Sequence, residues 1–95
     1  MFARVTKYKM KPESRAAATS IMNSLKPDVM ALPGITRFIN VINDDGSGYV
    51  IALSTVETVD SETAKKFNQL WGAFSEHLEG PPERASFDVT ADWTA

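Results

Sequence analysis

Residues 34–56 read GITRFINVINDDGSGYVIALSTV, and this stretch decides the fold. Two apolar segments flank the turn NDDGSG at residues 43–48, whose residue types tolerate the positive φ angles of tight hairpins. In the first arm Ile39 and Val41 alternate with Phe38 and Ile42, so apolar side chains occupy both faces. A strand that is apolar on both faces belongs to a sheet that is covered on both faces. The stretch therefore predicts a hairpin inside such a sheet.

The segments on either side of the hairpin add two strands and two helices. Residues 2–10 and residues 84–93 have the character of strands. A helix that starts near Ser14 is expected to kink or restart at Pro27, and a second helix is expected to run as far as Gly80. Candidate N-caps for the second helix are Thr58, Asp60 and Ser61. The apolar stripes that define the two helices are Ala17, Ala18, Ile21, Leu25, Val29 and Leu32, and Ala64, Phe67, Leu70, Trp71, Phe74 and Leu78.

The resulting order is β-α-β-β-α-β, which predicts one α+β domain over residues 1–95 with a four-stranded antiparallel, ferredoxin-like sheet. Right-handed crossovers place both helices on the same face of that sheet. The hairpin is apolar on the other face as well, and the simplest cover for that face is the sheet of a second copy. We therefore expect a homodimer whose sheets pack face to face.

Composition narrows the classes of function. The 95 residues include 10 basic and 12 acidic side chains, a formal net charge of −2 and no basic run, which argues against a nucleic-acid partner. Without cysteine there is no thiol catalysis and no thiolate metal site, and a single histidine rules out a multi-histidine metal site in one chain. The first residues lack a long apolar run, so we expect no membrane association and a cytoplasmic location.

Four side chains are candidates for chemistry. His77 is the single histidine of the chain, and it is either a base in a pocket or a cation at a helix C-terminus. Tyr8 is a second candidate for assisting deprotonation. Arg4 and Arg37 lie in otherwise apolar strands, where they either stabilise a bound anion or form pairs with Asp88 or Asp92.

Other side chains are candidates for holding a ligand between helix and sheet. Phe67, Trp71 and Phe74 either line a cavity for a flat aromatic molecule or simply fill the core. Thr6, Asn40 and Ser54 are polar groups on the predicted sheet. They either orient that molecule or satisfy one another and the backbone.

Four segments resemble a known superfamily: FARVTKYKMKP at residues 2–12, LKPDVMALPGI at 25–35, DDGSGYVIALSTVET at 44–58 and the closing strand. The chain is similar to the dimeric α+β barrel proteins, and among them to the antibiotic-biosynthesis-monooxygenase-like family. The resemblance implies small cofactor-independent oxygenases with a pocket between sheet and helices. Relatives that degrade haem use an asparagine on the first strand with a tryptophan and a histidine. Thr6 stands at that asparagine position here, and Trp71 and His77 fall on one predicted helix, which departs from the haem-degrading pattern.

Two hypotheses follow. In the first, the chain is a cofactor-independent oxygenase of an electron-rich aromatic or polyphenolic molecule held by Phe67, Trp71 and Phe74. In the second, it is a non-catalytic dimeric module that binds a small ligand or a protein partner, and the aromatic side chains close the interface between helix and sheet.

Overall fold

The computed structural model describes residues 1–56 and 60–95. Its strands are β1 (Phe2–Lys9), β2 (Ile35–Ile42), β3 (Ser47–Ser54) and β4 (Glu83–Asp88). Its helices are α1 (Arg15–Ser24), α2 (Lys26–Met30) and α3 (Ser61–Gly72), with 3-10 turns at Pro12–Ser14 and Ser75–His77. The candidate cap Thr58 lies outside the described residues.

The strands form one antiparallel sheet in the order β2-β3-β1-β4, which confirms the ferredoxin-like prediction. Tyr8 pairs with Gly48 between β1 and β3, and Ile39 pairs with Ile51 between β2 and β3. This register fixes which side chains share a face, because side chains alternate along a strand.

The hairpin turn forms where the sequence predicts it. Gly46 has a φ of +90°, and the N–H of Asn43 donates to the carbonyl of Ser47 at 2.8 Å. The Oδ1 atom of Asp45 accepts from the N–H of Ser47 at 3.0 Å. A glycine at positive φ and a local carboxylate acceptor are the usual requirements of such a turn.

Pro27 divides the first helical segment, as the sequence predicts. α1 ends at Ser24 and α2 starts at Lys26, so Pro27 lies in the first turn of the new helix. Proline has no N–H to donate and is tolerated in a first turn for that reason.

Two predicted boundaries are wrong, and both segments end early for a physical reason. α3 stops at Gly72 rather than near Gly80, because Leu78 bridges to Met10 and the N–H of Lys11 donates to the carbonyl of His77 at 2.8 Å. β4 stops at Asp88 rather than Trp93, because the strand that it pairs with begins at Phe2. One further backbone contact follows the strand, since the N–H of Val89 donates to the carbonyl of Met1 at 3.0 Å.

The helices cover one face of the sheet. The core beneath them contains Tyr8, Met10, Ala18, Val50 and Phe74. On the opposite face Val41, Tyr49 and Phe87 are 46%, 43% and 55% exposed. The hairpin is therefore apolar on both faces, and one of those faces is open in the single chain. Within the described part of the chain, no helix is long and apolar enough to cross a membrane.

Candidate functional site

A small, mostly apolar cavity of about 40 Å³ lies between the helices and the covered face of the sheet. Its floor is formed by β1, β2, β3 and the start of β4, and its roof by the three helices and Phe74 just after α3. The residues that line it are Arg4, Thr6, Met22, Leu25, Val29, Phe38, Val50, Ala52, Phe67, Leu70, Trp71, Phe74 and Arg84.

The predicted aromatic stripe of α3 lines this cavity. Phe67 and Trp71 lie four residues apart on α3, so their side chains share one side of the helix, and Phe74 lines the same cavity from just after the helix ends. The ring centroids of Trp71 and Phe74 are 5.8 Å apart, and those of Tyr8 and Trp71 are 5.7 Å apart, both tilted at 56°. Tilted pairs at these distances are favourable. These packed rings form an aromatic wall on one side of the cavity.

Next to that wall, Tyr8 and Asn40 form a polar pair. The Tyr8 hydroxyl donates to Oδ1 of Asn40 at 2.5 Å, and the carbonyl of Val41 lies 3.3 Å from the same hydroxyl. Burial raises the pKa of Tyr8, and the hydrogen bond to Asn40 offsets part of that rise. The phenol therefore stays protonated at neutral pH and acts as a hydrogen-bond donor.

Two guanidinium groups lie at the β4 side of the cavity. The Cζ atom of Arg4 is 4.9 Å from the ring centroid of Phe67, and Nη2 of Arg84 donates to Oδ1 of Asn68 at 2.9 Å. The pKa of Arg4 is lowered, first by burial and then by the nearby charge of Arg84. Sequence reasoning missed Arg84, because only the register of β4 against β1 shows that it shares the face of Thr6.

Ser54 belongs to a smaller cavity of about 20 Å³, which Arg4 and Phe67 also line. Thr6 is buried in the floor of the main cavity. The structure therefore brings Arg4, Thr6, Phe67, Trp71 and Phe74 together around the main cavity. It places Tyr8 with Asn40 against the Trp71 wall and Ser54 in the adjoining space.

Two predicted catalytic residues lie elsewhere. His77 has Nδ1 2.9 Å from the Ser14 hydroxyl and Nε2 3.6 Å from Glu76, and it does not line the cavity. Arg37 is on the open face of the sheet and pairs with Asp92 at 3.7 Å, as one of the two sequence interpretations expects. Neither side chain is among the residues that line the main cavity.

The lining of the cavity suits an apolar or aromatic molecule. In the described part of the chain no group of three or more histidine, aspartate or glutamate side chains is placed to hold a metal ion. The cavity offers aromatic walls, a buried threonine hydroxyl and positive charge at one side. These groups can hold a ring and stabilise a negative charge on it.

Neither a protein-family model nor a curated protein sequence matches the chain. Solved structures do. A candidate antibiotic biosynthesis monooxygenase from Bordetella bronchiseptica superposes with a TM-score of 0.80 at 12% identity, over 95% of this chain and 97% of that one. Another antibiotic biosynthesis monooxygenase gives a TM-score of 0.71 at 14% identity, over 96% and 100% of the two chains. A Nitrosomonas europaea protein of unknown function superposes with a TM-score of 0.68 at 18% identity, over 99% of this chain and 93% of that one.

The chain has the fold of the antibiotic-biosynthesis-monooxygenase-like proteins, and the predicted resemblance is confirmed at that level. The similarity extends over almost the whole length of each chain, so the fold is shared as a unit.

Proposed function

We propose that this protein binds a small aromatic molecule in the cavity between helices and sheet and oxidises it with O₂ without a cofactor. The observation that carries the proposal is the cavity itself, with Phe67, Trp71 and Phe74 on its wall and Arg4 at its side. The names of the monooxygenases that share this fold support the type of reaction.

The reaction needs no added reductant if the substrate supplies all four electrons. An anthrone-like substrate has a CH₂ group that becomes a carbonyl: one atom of O₂ enters the product, and the other leaves as water with both hydrogens. Transfer of the first proton to solvent water gives an electron-rich anion that reacts with O₂, and the released water accounts for that proton in the overall reaction. Positive charge from Arg4 would stabilise that anion, and a protonated Tyr8 fits hydrogen-bond donation better than proton removal.

We also propose that the working unit is a homodimer built through the open face of the sheet. Val41, Tyr49 and Phe87 expose apolar surface there, although a sheet normally buries an apolar face. A second copy offers the same apolar surface in return, as a two-fold interface requires.

A second function has an observation in its favour. The cavity of about 40 Å³ is smaller than the roughly 150 Å³ that holds benzene in an engineered protein core. His77, one of the two candidates for assisting deprotonation, does not line it. Both points favour a non-catalytic dimeric module whose aromatic residues close the interface.

Oxygen consumption with anthrone and a panel of quinols distinguishes the two functions. The oxygenase is expected to consume O₂ faster than buffer, and Trp71→Ala is expected to lower the rate because the ring loses its wall. Ser20→Ala, a substitution on the exposed part of α1, is the matched control. A rate equal to buffer for every compound, with no shift in melting temperature, would support the non-catalytic module.

A further inference from the structure

Arg4 and Arg84 form a pair of like charges at one side of the cavity. Arg4 faces Ser86 across β1 and β4, and Arg84 faces Thr6, so the two arginines are diagonal neighbours on the covered face of the sheet. Diagonal neighbours lie about 7–8 Å apart and interact through long side chains. Both side chains line the main cavity.

No acidic side chain is among the residues that line this cavity or the smaller one beside it. The ion pairs found within the described residues use Lys9, Arg15, Arg37 and His77. Arg84 has a neutral partner, the amide of Asn68, and Arg4 lies against the ring of Phe67. Asp88 is the other diagonal neighbour of Arg4 in this register, but no ion pair joins these two described side chains. Arg4 is partly buried and Arg84 is exposed, and the charge of Arg84 contributes to the lowered pKa of Arg4. An anion bound between the two guanidinium groups would offset that repulsion.

We propose that the molecule bound in the cavity is an aromatic carboxylate, with its ring along Phe67 and Trp71 and its carboxylate between Arg4 and Arg84. This inference rests on the proposed function, because it specifies the aromatic molecule that the cavity takes. A carboxylate has two oxygens and matches the planar fork of a guanidinium, so two arginines can share it.

Binding requires the cavity to widen from its present volume of about 40 Å³. Met22 is the flexible element of the lining, since its unbranched thioether side chain adopts several rotamers at low cost. Phe67 is half-buried and lines both cavities, so its movement would join them beside Arg4. Side-chain movement of Met22 and Phe67 would therefore make room for a ring without a change in the sheet.

The test compares 2-naphthoate with its neutral analogue 2-naphthamide by calorimetry and by NMR of ¹⁵N-labelled protein. The chain has two tryptophan indole N–H signals, one from Trp71 in the cavity lining and one from Trp93, which is 92% exposed. The spectrum of Trp93→Phe lacks the second signal and so shows which signal belongs to Trp71. We expect naphthoate to shift the Trp71 signal and to bind at least tenfold more tightly than naphthamide, a difference of about 1.4 kcal/mol.

Arginine variants then test which guanidinium groups bind the carboxylate. Arg4→Gln and Arg84→Gln are each expected to weaken naphthoate binding about tenfold and to leave naphthamide binding unchanged. Arg15→Gln removes a guanidinium that pairs with Asp44 on the surface, and it is expected to bind both compounds as the parent protein does. The melting temperature of each variant shows that it is folded.

The outcomes separate the two proposals. Equal affinity for naphthoate and naphthamide, with the Trp71 signal shifted by both, overturns the carboxylate but keeps the aromatic site. A Trp71 signal that neither compound shifts overturns the aromatic site as well. Naphthoate binding that Arg15→Gln weakens as much as Arg4→Gln identifies diffuse surface charge and contradicts the inference.

Discussion

The hydroxyl of Tyr8 on β1 reaches Oδ1 of Asn40 on β2 at 2.5 Å, although β3 lies between those two strands. The side chain crosses β3 at Gly48, the residue that pairs with Tyr8 in the register. A Cβ atom on Gly48 would lie 2.7 Å from the Tyr8 oxygen and 2.2 Å from the carbonyl of Val41. The absence of a side chain at Gly48 is therefore what allows the polar pair beside the cavity to form.

Gly48→Ala is expected to destabilise the protein by about 2–4 kcal/mol, because the new methyl group displaces Tyr8 and breaks its hydrogen bond. Gly72→Ala is the matched control: a Cβ there has no neighbour within 4 Å, and alanine suits a helix better than glycine. Urea unfolding followed by circular dichroism measures both. Equal stability of the two variants would contradict the role given to Gly48.

The Tyr8–Asn40 pair itself is tested by a double-mutant cycle. Tyr8→Phe leaves the Asn40 oxygen without this donor and is expected to cost about 1–2 kcal/mol of unfolding free energy. Asn40→Leu is expected to cost a similar amount. The double variant should be less destabilised than the sum of the two, with a coupling of about 1 kcal/mol. Additive costs would show that the two side chains do not interact.

Asp60 caps α3, and its charge makes the stability depend on pH. Oδ1 of Asp60 accepts from the N–H of Thr63 at 2.7 Å, and this backbone hydrogen bond lowers the pKa of the carboxyl group in the folded protein. The resulting stabilisation is present above the unfolded-state pKa of about 3.9 and is lost as the pH falls through the lower folded-state value.

We therefore expect Asp60→Ala to lower the melting temperature at pH 7 and to differ less from the parent protein at pH 2. Asp60→Asn keeps an acceptor oxygen and cannot titrate, so it should stay closer to the parent at pH 7. Thermal unfolding at several pH values measures this. A difference between the parent and Asp60→Ala that stays constant from pH 7 to pH 2 would argue against the cap.

Lysine substitutions on the open face of the sheet test the proposed dimer interface. Val41→Lys and Phe87→Lys each put a cation into the apolar face that the second copy would cover, so both should produce monomers. Ser20→Lys, at an exposed position of α1, should not. Analytical ultracentrifugation at micromolar concentration is expected to give twice the chain mass of 10.4 kDa for the parent protein. A parent protein that sediments as a single chain would reject the homodimer.

Met22→Ala is expected to tighten 2-naphthoate binding, because the ring then has less side chain to displace from the cavity. Met30→Ala serves as the control, since Met30 is 44% exposed and does not line the main cavity. Calorimetry compares the two variants with the parent. Binding that Met22→Ala leaves as unchanged as Met30→Ala does would place the ligand outside the cavity.

The fold was predictable because its signals are local. The alternation of Ile39 and Val41 with Phe38 and Ile42 defines a sheet with two apolar faces, and Pro27 marks the helix break. The candidate site was predictable only in part. Arg84 became visible once the register of β4 against β1 was known, since its neighbours in sequence do not reveal which face it shares.

His77 shows the opposite error. A continuous helix through residue 80 would have placed it beside Leu70, at the edge of the stripe that contains Trp71 and Phe74, but the bridge between Met10 and Leu78 ends that helical path. That bridge joins residues far apart in the chain, so helical periodicity does not predict it. The volume of the cavity is likewise set by how Met22, Phe67 and Trp71 pack together, which the pattern of apolar residues does not determine.

The most direct test of the central claim, that an aromatic ring enters between α3 and the sheet, is the measurement of intermolecular nuclear Overhauser effects with 2-naphthoate. The cavity site predicts effects from the ring protons to Trp71 and to the methyl groups of Val50 and Ala52. Effects confined to Trp93, or to Val41 on the open face, would contradict it.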